Sequence, residues 1–106
     1  MIKKLLFIGF ILIVSIGFAQ VQSIEKVGVS PNPFSQKTTI TFTSHNKQNI
    51  YFSVRSILGK TVYTKKITAV NGKNKIPFSK NKLASGIYLY TIQSSTKRIS
   101  KRFVIK

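Results

Sequence analysis

The chain has 106 residues and a formal charge of +17, because 18 lysine and arginine side chains stand against one acidic side chain, Glu25. Hydrophobic residues make up 42% of the sequence, which is too apolar for a disordered basic tail and sufficient for one small packed domain. The absence of cysteine excludes disulfides and thiolate metal sites, and a single carboxylate with a single imidazole, His45, argues against most enzyme classes.

The first segment has the features of a secretory signal peptide. Two lysines precede the apolar run Leu5–Val14, and the small residues Gly17 and Ala19 follow it. A membrane anchor needs about 18 or more consecutive apolar residues, and this run is shorter. We therefore expect residues 1–19 to be a signal peptide cleaved after Ala19, followed by a short linker at 20–26. The mature chain is then exported through the inner membrane and has no permanent membrane span.

Two segments with alternating polar and apolar residues follow, at Thr38–Thr43 and Ile50–Arg55. Alternation places every second side chain on one face of a strand, so both segments are predicted to be half-buried strands. The expected inward side chains are Ile40, Phe42, Ile50, Phe52 and Val54. The intervening segment, Ser44–Asn49, is polar and is predicted to be a loop in which His45 is solvated and has no accompanying carboxylate.

A hairpin is predicted next. Thr61–Ile67 is rich in β-branched and aromatic residues, and Asn71-Gly72 precedes a further short segment, Asn74–Phe78. An Asn-Gly pair tolerates the positive φ values of a two-residue type I′ turn, so the two segments are expected to pair with each other. Pro77 lacks an N–H group, which restricts the second arm to an edge or irregular position.

The last two strands are predicted at Ile87–Gln93 and Arg98–Lys106. The first is apolar on both faces and is therefore expected to be a central strand, which Gly86 opens. The second places Ile99, Phe103 and Ile105 on one face, with Lys101 among them.

No segment after residue 20 has apolar residues at sustained helical spacing, whereas about seven short strands alternate with turn signals. This pattern predicts an all-β fold, a small antiparallel β-sandwich of the Ig-like type over residues 27–106. Lysines on edge strands oppose edge-to-edge aggregation, and the sequence offers Lys65, Lys66, Lys97 and Lys101 for this role.

The order of several short motifs resembles one family. Val29-Ser30-Pro31-Asn32-Pro33-Phe34 comes first, and Gly59-Lys60, Gly72 and Leu83-Ala84-Ser85-Gly86-Ile87-Tyr88 follow at defined spacing before the basic last strand. Together they resemble the C-terminal sorting domain of type IX secretion (the Por secretion system, type A) over residues 27–106. The sorting-motif residues are Pro31, Asn32, Pro33, Gly59, Lys60, Gly72, Leu83, Gly86, Tyr88, Lys101, Val104 and Lys106.

Most of these residues have a structural explanation. The two prolines fix φ and make a rigid corner after the first strand, and Gly59 is expected to have positive φ in a turn. Leu83 and Tyr88 are expected to pin the turn that enters the central strand. The final Lys-x-x-Val-x-Lys pattern is a plausible handle for a receptor, through strand addition or charge complementarity.

The resemblance implies that the domain is a targeting signal, that it is not an enzyme and that it has no cofactor. Such domains are recognised in the periplasm by the type IX machinery, carried through the outer membrane to the cell surface or beyond, and removed as the cargo is attached to surface lipopolysaccharide. This sequence departs from the family in two respects. Ser56 stands where the family often has an acidic residue, three positions before the glycine of the middle turn, Gly59. Residues 20–26 are too few for a cargo domain. A stand-alone exported sandwich and the remnant of a truncated gene both fit this arrangement.

An alternative function is binding of polyanions such as lipopolysaccharide or extracellular DNA. The positive charge that would attract a polyanion comes from Lys65, Lys66, Lys73, Lys75, Lys80, Lys82, Lys97, Arg98, Lys101 and Arg102. Stacking surfaces could come from Tyr51, Tyr63, Tyr88 and Tyr90. No nucleic-acid-binding motif is recognised, so specific nucleic-acid binding is not expected.

Overall fold

The computed structural model describes residues 24–106, which form seven β-strands. The predicted signal peptide and linker residues 20–23 lie outside this range, and the last three residues of the predicted linker belong to the first strand. The strands are β1 (Ile24–Ser30), β2 (Lys37–Ser44), β3 (Gln48–Ser56), β4 (Thr61–Ala69), β5 (Gly72–Ser79), β6 (Gly86–Gln93) and β7 (Arg98–Ile105).

The strands form two antiparallel sheets. The smaller sheet has the order β1-β2-β5, and the larger has the order β4-β3-β6-β7. This arrangement confirms the predicted small antiparallel β-sandwich with seven strands. Within residues 24–106, no helix is long and apolar enough to cross a membrane.

The core lies between the two sheets and is rich in aromatic rings. The five side chains that the alternation pattern of β2 and β3 predicted to face inward are all buried. Phe103 lies at the centre, because its ring is 5.2 Å from that of Phe34, 5.4 Å from that of Phe78 and 5.5 Å from that of Tyr90, measured between centroids. Aromatic contacts from both sheets and from the β1–β2 connection therefore meet on the last strand.

The predicted positions of β5 and β6 are confirmed. β6 pairs with β3 on one side and with β7 on the other, so it is an interior strand of the larger sheet. β5 lies at an edge, where Pro77 is opposite Thr39 and its missing N–H group does not interrupt an interior ladder.

The predicted hairpin is wrong. β4 pairs with β3 and β5 pairs with β2, so the two segments lie in different sheets. Only Gly72 of the Asn-Gly pair has positive φ, at 110°, whereas a type I′ turn needs positive φ at both central residues. The Asn74 side chain instead bonds the backbone N–H and carbonyl of Val70, at 2.9 and 3.0 Å. These bonds hold a corner that passes the chain from one sheet to the other.

Because all pairing is antiparallel, the connections collect at two ends of the sandwich. We call the end where β7 finishes the C-terminal end, and it carries the connections 31–36, 57–60 and 80–85. The opposite end carries the connections 45–47, 70–71 and 94–97.

Candidate functional site

Most of the sorting-motif residues that the sequence singled out meet at the C-terminal end. Gly72 is an exception, because it pairs with Ser44 at the opposite end, and Lys101 lies midway along β7. The residues brought together at the C-terminal end are Pro31, Asn32, Pro33, Gly59, Lys60, Leu83, Gly86, Tyr88, Val104 and Lys106. Motifs that are up to 75 positions apart in sequence thus form one region of the surface.

The segment around Asn32 is bound to the end of β7. The peptide bonds that precede Pro31 and Pro33 are both cis. The Asn32 side-chain oxygen accepts a hydrogen bond of 2.9 Å from the backbone N–H of Val104. Phe34 donates its N–H to the Val104 carbonyl at 3.0 Å and accepts from the N–H of Lys106 at 2.8 Å. Residues 32–34 therefore run parallel to β7 and cover the last part of its outer edge.

Two hydroxyl groups hold this arrangement, one from the β5–β6 connection and one from β2. Ser85 donates a hydrogen bond of 2.7 Å to the backbone oxygen of Lys106, the last residue. Thr38 donates one of the same length to the carbonyl of Pro31. The C-terminal residues are thus a folded part of the domain. Addition of a partner strand at Val104–Lys106 would have to displace residues 32–34.

The turn between β3 and β4 is closed by Ser56. The Ser56 N–H donates to the Lys60 carbonyl at 2.8 Å, and its own carbonyl accepts from the N–H of Gly59 at 2.9 Å. Gly59 has φ of 92°, which confirms the expected positive φ. The Ser56 hydroxyl accepts from the Lys60 N–H at 3.3 Å, so a serine hydroxyl makes the capping contact at the position where the family often has a carboxylate.

The entry to β6 is fixed in the way the sequence indicated. Gly86 has φ of 148°, and Tyr88 donates its phenolic hydroxyl to the Ala84 carbonyl at 2.8 Å. Leu83 packs against the core from the same loop. Leu83 and Tyr88 therefore pin the turn between them.

The C-terminal end also exposes apolar side chains that the sequence analysis did not single out. Ile57 is 61% exposed and Leu58 is 92% exposed in the β3–β4 turn, and Ile87 is exposed beside its partner Val104. The sequence signal was present, since two large apolar residues stand directly before a turn glycine. We call Ile57, Leu58 and Lys60 the apolar tip. Such exposed groups are typical of interaction sites.

A groove of about 600 Å³ opens at the same end, where the edges of β4 and β5 meet. Its floor contains Tyr63 and Phe78, whose ring centroids are 5.3 Å apart. Its rim includes Lys80 and Lys82 from the β5–β6 connection. The groove is therefore apolar inside and positively charged outside.

His45 and Glu25 meet at the opposite end, which corrects the expectation that no carboxylate accompanies the histidine. His45 Nε2 lies 2.9 Å from Glu25 Oε2, and both side chains are about half exposed. β1 and β2 are neighbours in register, and this pairing brings residues 20 positions apart together. Among residues 24–106, no group of three or more His, Cys, Asp or Glu side chains forms a candidate metal site.

The four tyrosines differ in what they offer to a ligand. Tyr88 and Tyr90 are buried, and Tyr63 packs against Phe52 and Phe78. Burial raises the pKa of the Tyr90 phenol above its ordinary value. Of the four, Tyr51 alone has a largely free ring, with 49% of the residue exposed. Three of the four predicted stacking surfaces therefore contribute mainly to packing.

Comparisons with known proteins place this fold in a family. The family model described as secretion system C-terminal sorting domain matches residues 28–106. No curated protein sequence matches the chain.

Two solved structures share the fold. Dimeric latent PorU from Porphyromonas gingivalis is similar with a TM-score of 0.64 and 19% identity, over 84% of this chain and 10% of that one. A β-glucosidase from Kluyveromyces marxianus is similar with a TM-score of 0.50 and 11% identity, over 85% of this chain and 15% of that one. The chain thus spans a small part of each. The folded C-terminal end brings the motifs of this family together. The family match over residues 28–106 shows that the chain belongs to the secretion system C-terminal sorting domain family, the sorting signal of type IX secretion.

Proposed function

We propose that the type IX secretion machinery exports this chain across the outer membrane, and that it does so by recognising the C-terminal end of the sandwich. The destination is the cell surface or the medium. Membership of the sorting-domain family supports the role, because the match covers residues 28–106. The likeness to PorU supports the fold alone.

The observation that carries the proposal is the binding of residues 32–34 to the end of β7. This contact makes residues 104–106 part of a folded surface. A receptor therefore meets a preformed surface, and the domain loses little conformational entropy when the receptor binds there. The expected handle at the last strand is thus a folded feature, and strand addition is restricted to its open part, residues 98–102.

The apolar tip is the part of this surface that we assign to receptor contact. Leu58 and Ile57 are exposed apolar side chains beside the folded terminus, and Lys60 adds positive charge. Burial of a Leu or Ile side chain in an interface contributes about 1.5–3 kcal/mol. The partner that fits is a component of the secretion machinery with an apolar pocket and an acidic rim, in the periplasm or the outer membrane.

The domain itself has a targeting role without catalysis in this proposal. Its His45 and Glu25 side chains bind each other on the surface at the far end from the sorting motifs. No cofactor is needed for recognition by surface complementarity. After export, attachment to surface lipopolysaccharide would retain the chain at the cell.

The experiment is an export assay in a host that has the type IX machinery. A signal peptide and a fluorescent reporter are fused before residues 20–106, and reporter is measured in periplasm, washed cells and medium. We expect export to the surface or medium, and a reporter that stays in the periplasm would contradict the sorting role. Protease-accessible reporter on washed cells indicates attachment, whereas reporter entirely in the medium excludes it.

Matched variants locate the recognised surface. Ile57→Ser with Leu58→Ser changes the apolar tip, and Val70→Ser changes an apolar residue that is 55% exposed at the opposite end. We expect the tip variant to remain periplasmic and the Val70 variant to be exported normally. Circular dichroism of both proteins checks that they are folded. Normal export of a folded tip variant would show that recognition lies elsewhere, while leaving the sorting role intact.

A further inference from the structure

All three arginines of the chain lie on one face of the molecule. Arg55 is on β3, and Arg98 and Arg102 are on β7. Their neighbours in sequence on these strands, Val54 and Phe103, are buried in the core, so the arginines lie on the outer face of the larger sheet. Lys66 lies on the same face, because it is in register with the outward Tyr51. We call this surface the arginine face.

The register orders the arginine face into rows across the strands. One row contains Arg55, Leu89 and Arg102, and another contains Lys66, Tyr51, Gln93 and Arg98. Arg55 and Arg102 are separated by one intervening strand, so their backbones are about 10 Å apart. Arg98 and Arg102 are four residues apart on one strand, or about 13 Å.

A row of hydroxyl groups lies between the two cationic rows. It contains Thr64, Ser53 and Ser100, together with the buried Thr91, whose hydroxyl is hydrogen-bonded to that of Ser100 at 2.8 Å. A shallow depression adjoins Tyr51, Lys66 and Gln93 at one side of this face. Hydroxyl and amide groups beside an exposed aromatic ring suit the hydroxyl groups and flat faces of sugars.

The charges on this face are not neutralised within the described residues. None of the three guanidinium groups forms an ion pair or hydrogen bond with residues 24–106, where the ion pair present joins Glu25 of β1 and His45 of the β2–β3 connection. Like charges on one face destabilise the fold, so the cluster does not serve stability. Lysine would serve solubility equally well, whereas a planar guanidinium binds carboxylate or phosphate through two parallel hydrogen bonds.

We propose that the arginine face binds an acidic polysaccharide, through carboxylate or phosphate groups spaced along the sugar chain. Single-stranded nucleic acid fits less well, because it needs several exposed aromatic rings, whereas Tyr88 and Tyr90 are buried and Tyr63 packs against Phe52 and Phe78. The face is separate from the apolar tip. The proposal therefore does not depend on export by the type IX machinery.

The test is a titration of the purified protein with polygalacturonate in 150 mM salt, in which calorimetry measures binding. Neutral dextran and a single-stranded oligothymidine of equal total charge are measured in parallel. Polygalacturonate is expected to bind, dextran to give no signal, and the oligothymidine to bind at least about tenfold more weakly. Absence of polygalacturonate binding would overturn the proposal. Equal or tighter oligothymidine binding would also overturn it, and would assign the face to nucleic acid.

Matched triple variants separate a site from general attraction. Arg55→Gln, Arg98→Gln and Arg102→Gln together remove three charges from the arginine face. Three exposed lysines on the outer face of the smaller sheet give the control, which is Lys37→Gln, Lys73→Gln and Lys75→Gln.

We expect the arginine variant to bind polygalacturonate at least about tenfold more weakly and the lysine control to change affinity less than about threefold. Equal losses in both variants would indicate counterion release without a site. A third variant with lysine at the three arginine positions keeps the charge, and we expect it to weaken binding several-fold. Circular dichroism confirms that each variant is folded.

Discussion

The ammonium group of Lys101 donates a hydrogen bond of 2.8 Å to the backbone carbonyl of Val27, and this bond joins the open edges of the two sheets. Val27 lies in a bulge of β1, where pairing with β2 is interrupted between Glu25 and Gly28. Lys101 is opposite the buried Tyr90 and so lies on the inner side of β7, as its sequence position predicted. An inward lysine is tolerated here because β7 is an edge strand and the bulge supplies an acceptor.

Replacing Lys101 with methionine tests this link. The variant keeps most of the side chain and loses the hydrogen bond, so we expect a loss of about 1 kcal/mol in the free energy of unfolding. Urea denaturation measures it. Lys97→Met, in an exposed turn, is the matched control and should change stability by less than about 0.5 kcal/mol. Equal effects of the two variants would show that the bond to Val27 contributes nothing.

The contact between Asn32 and β7 gives a second prediction. Asn32→Ala removes the acceptor of the Val104 N–H, which should lower stability by about 1 kcal/mol and speed hydrogen exchange at that amide. Asn49→Ala, an exposed asparagine on β3, is the control and should leave Val104 exchange unchanged. Unaltered exchange in the Asn32 variant would argue against the contact in solution.

Phe103 is expected to be the most sensitive position of the core. Its ring contacts those of Phe34, Phe78, Tyr88 and Tyr90, so Phe103→Ala leaves a large cavity and should cost about 3–5 kcal/mol. A domain of this size has little stability to lose, and we expect the variant to be largely unfolded at 25 °C by circular dichroism. Phe103→Leu should remain folded with a lower urea midpoint. A fully stable alanine variant would refute the central role of this ring.

Two glycines differ in what alanine would do. Gly59 has φ of 92° and no atom within 4 Å of an added Cβ, so Gly59→Ala costs backbone strain alone, on the order of 1–3 kcal/mol. Gly28 is not at positive φ, and its added Cβ would make an ordinary contact of 3.9 Å with Thr41. Gly28→Ala is therefore the control, with a change of less than about 1 kcal/mol. The reverse order of unfolding midpoints would contradict the turn geometry.

Burial of Tyr90 predicts a change in stability at alkaline pH. Because its folded-state pKa is raised from 10.0, the unfolded state loses this proton first, and stability falls as the pH rises above 10. Tyr90→Phe removes that contribution, so its unfolding free energy should fall less steeply from pH 9 to pH 11. Urea denaturation at several pH values measures the slopes. Identical slopes would show that Tyr90 titrates normally in the folded protein.

Local pattern was sufficient to predict the strands. Side chains alternate between faces at a period of two, so Ile40 and Phe42 on β2 and Phe52 on β3 could be assigned to the core from sequence. Gly59 could be assigned positive φ because turns require residues that tolerate it. The motif order was also enough to indicate the family, since it is a property of the chain itself.

The pairing of those strands was decided by tertiary structure. A turn sequence such as Asn71-Gly72 is compatible both with a hairpin and with a corner between sheets. The corner forms because it lets Ile67 and Ile76 pack against the same core from different sheets. The same applies to the site. Asn32 and Val104 are 72 positions apart, and the three arginines share a face only through register. Sequence sets the local conformations, whereas contacts between distant residues depend on how the two sheets bury their apolar faces together.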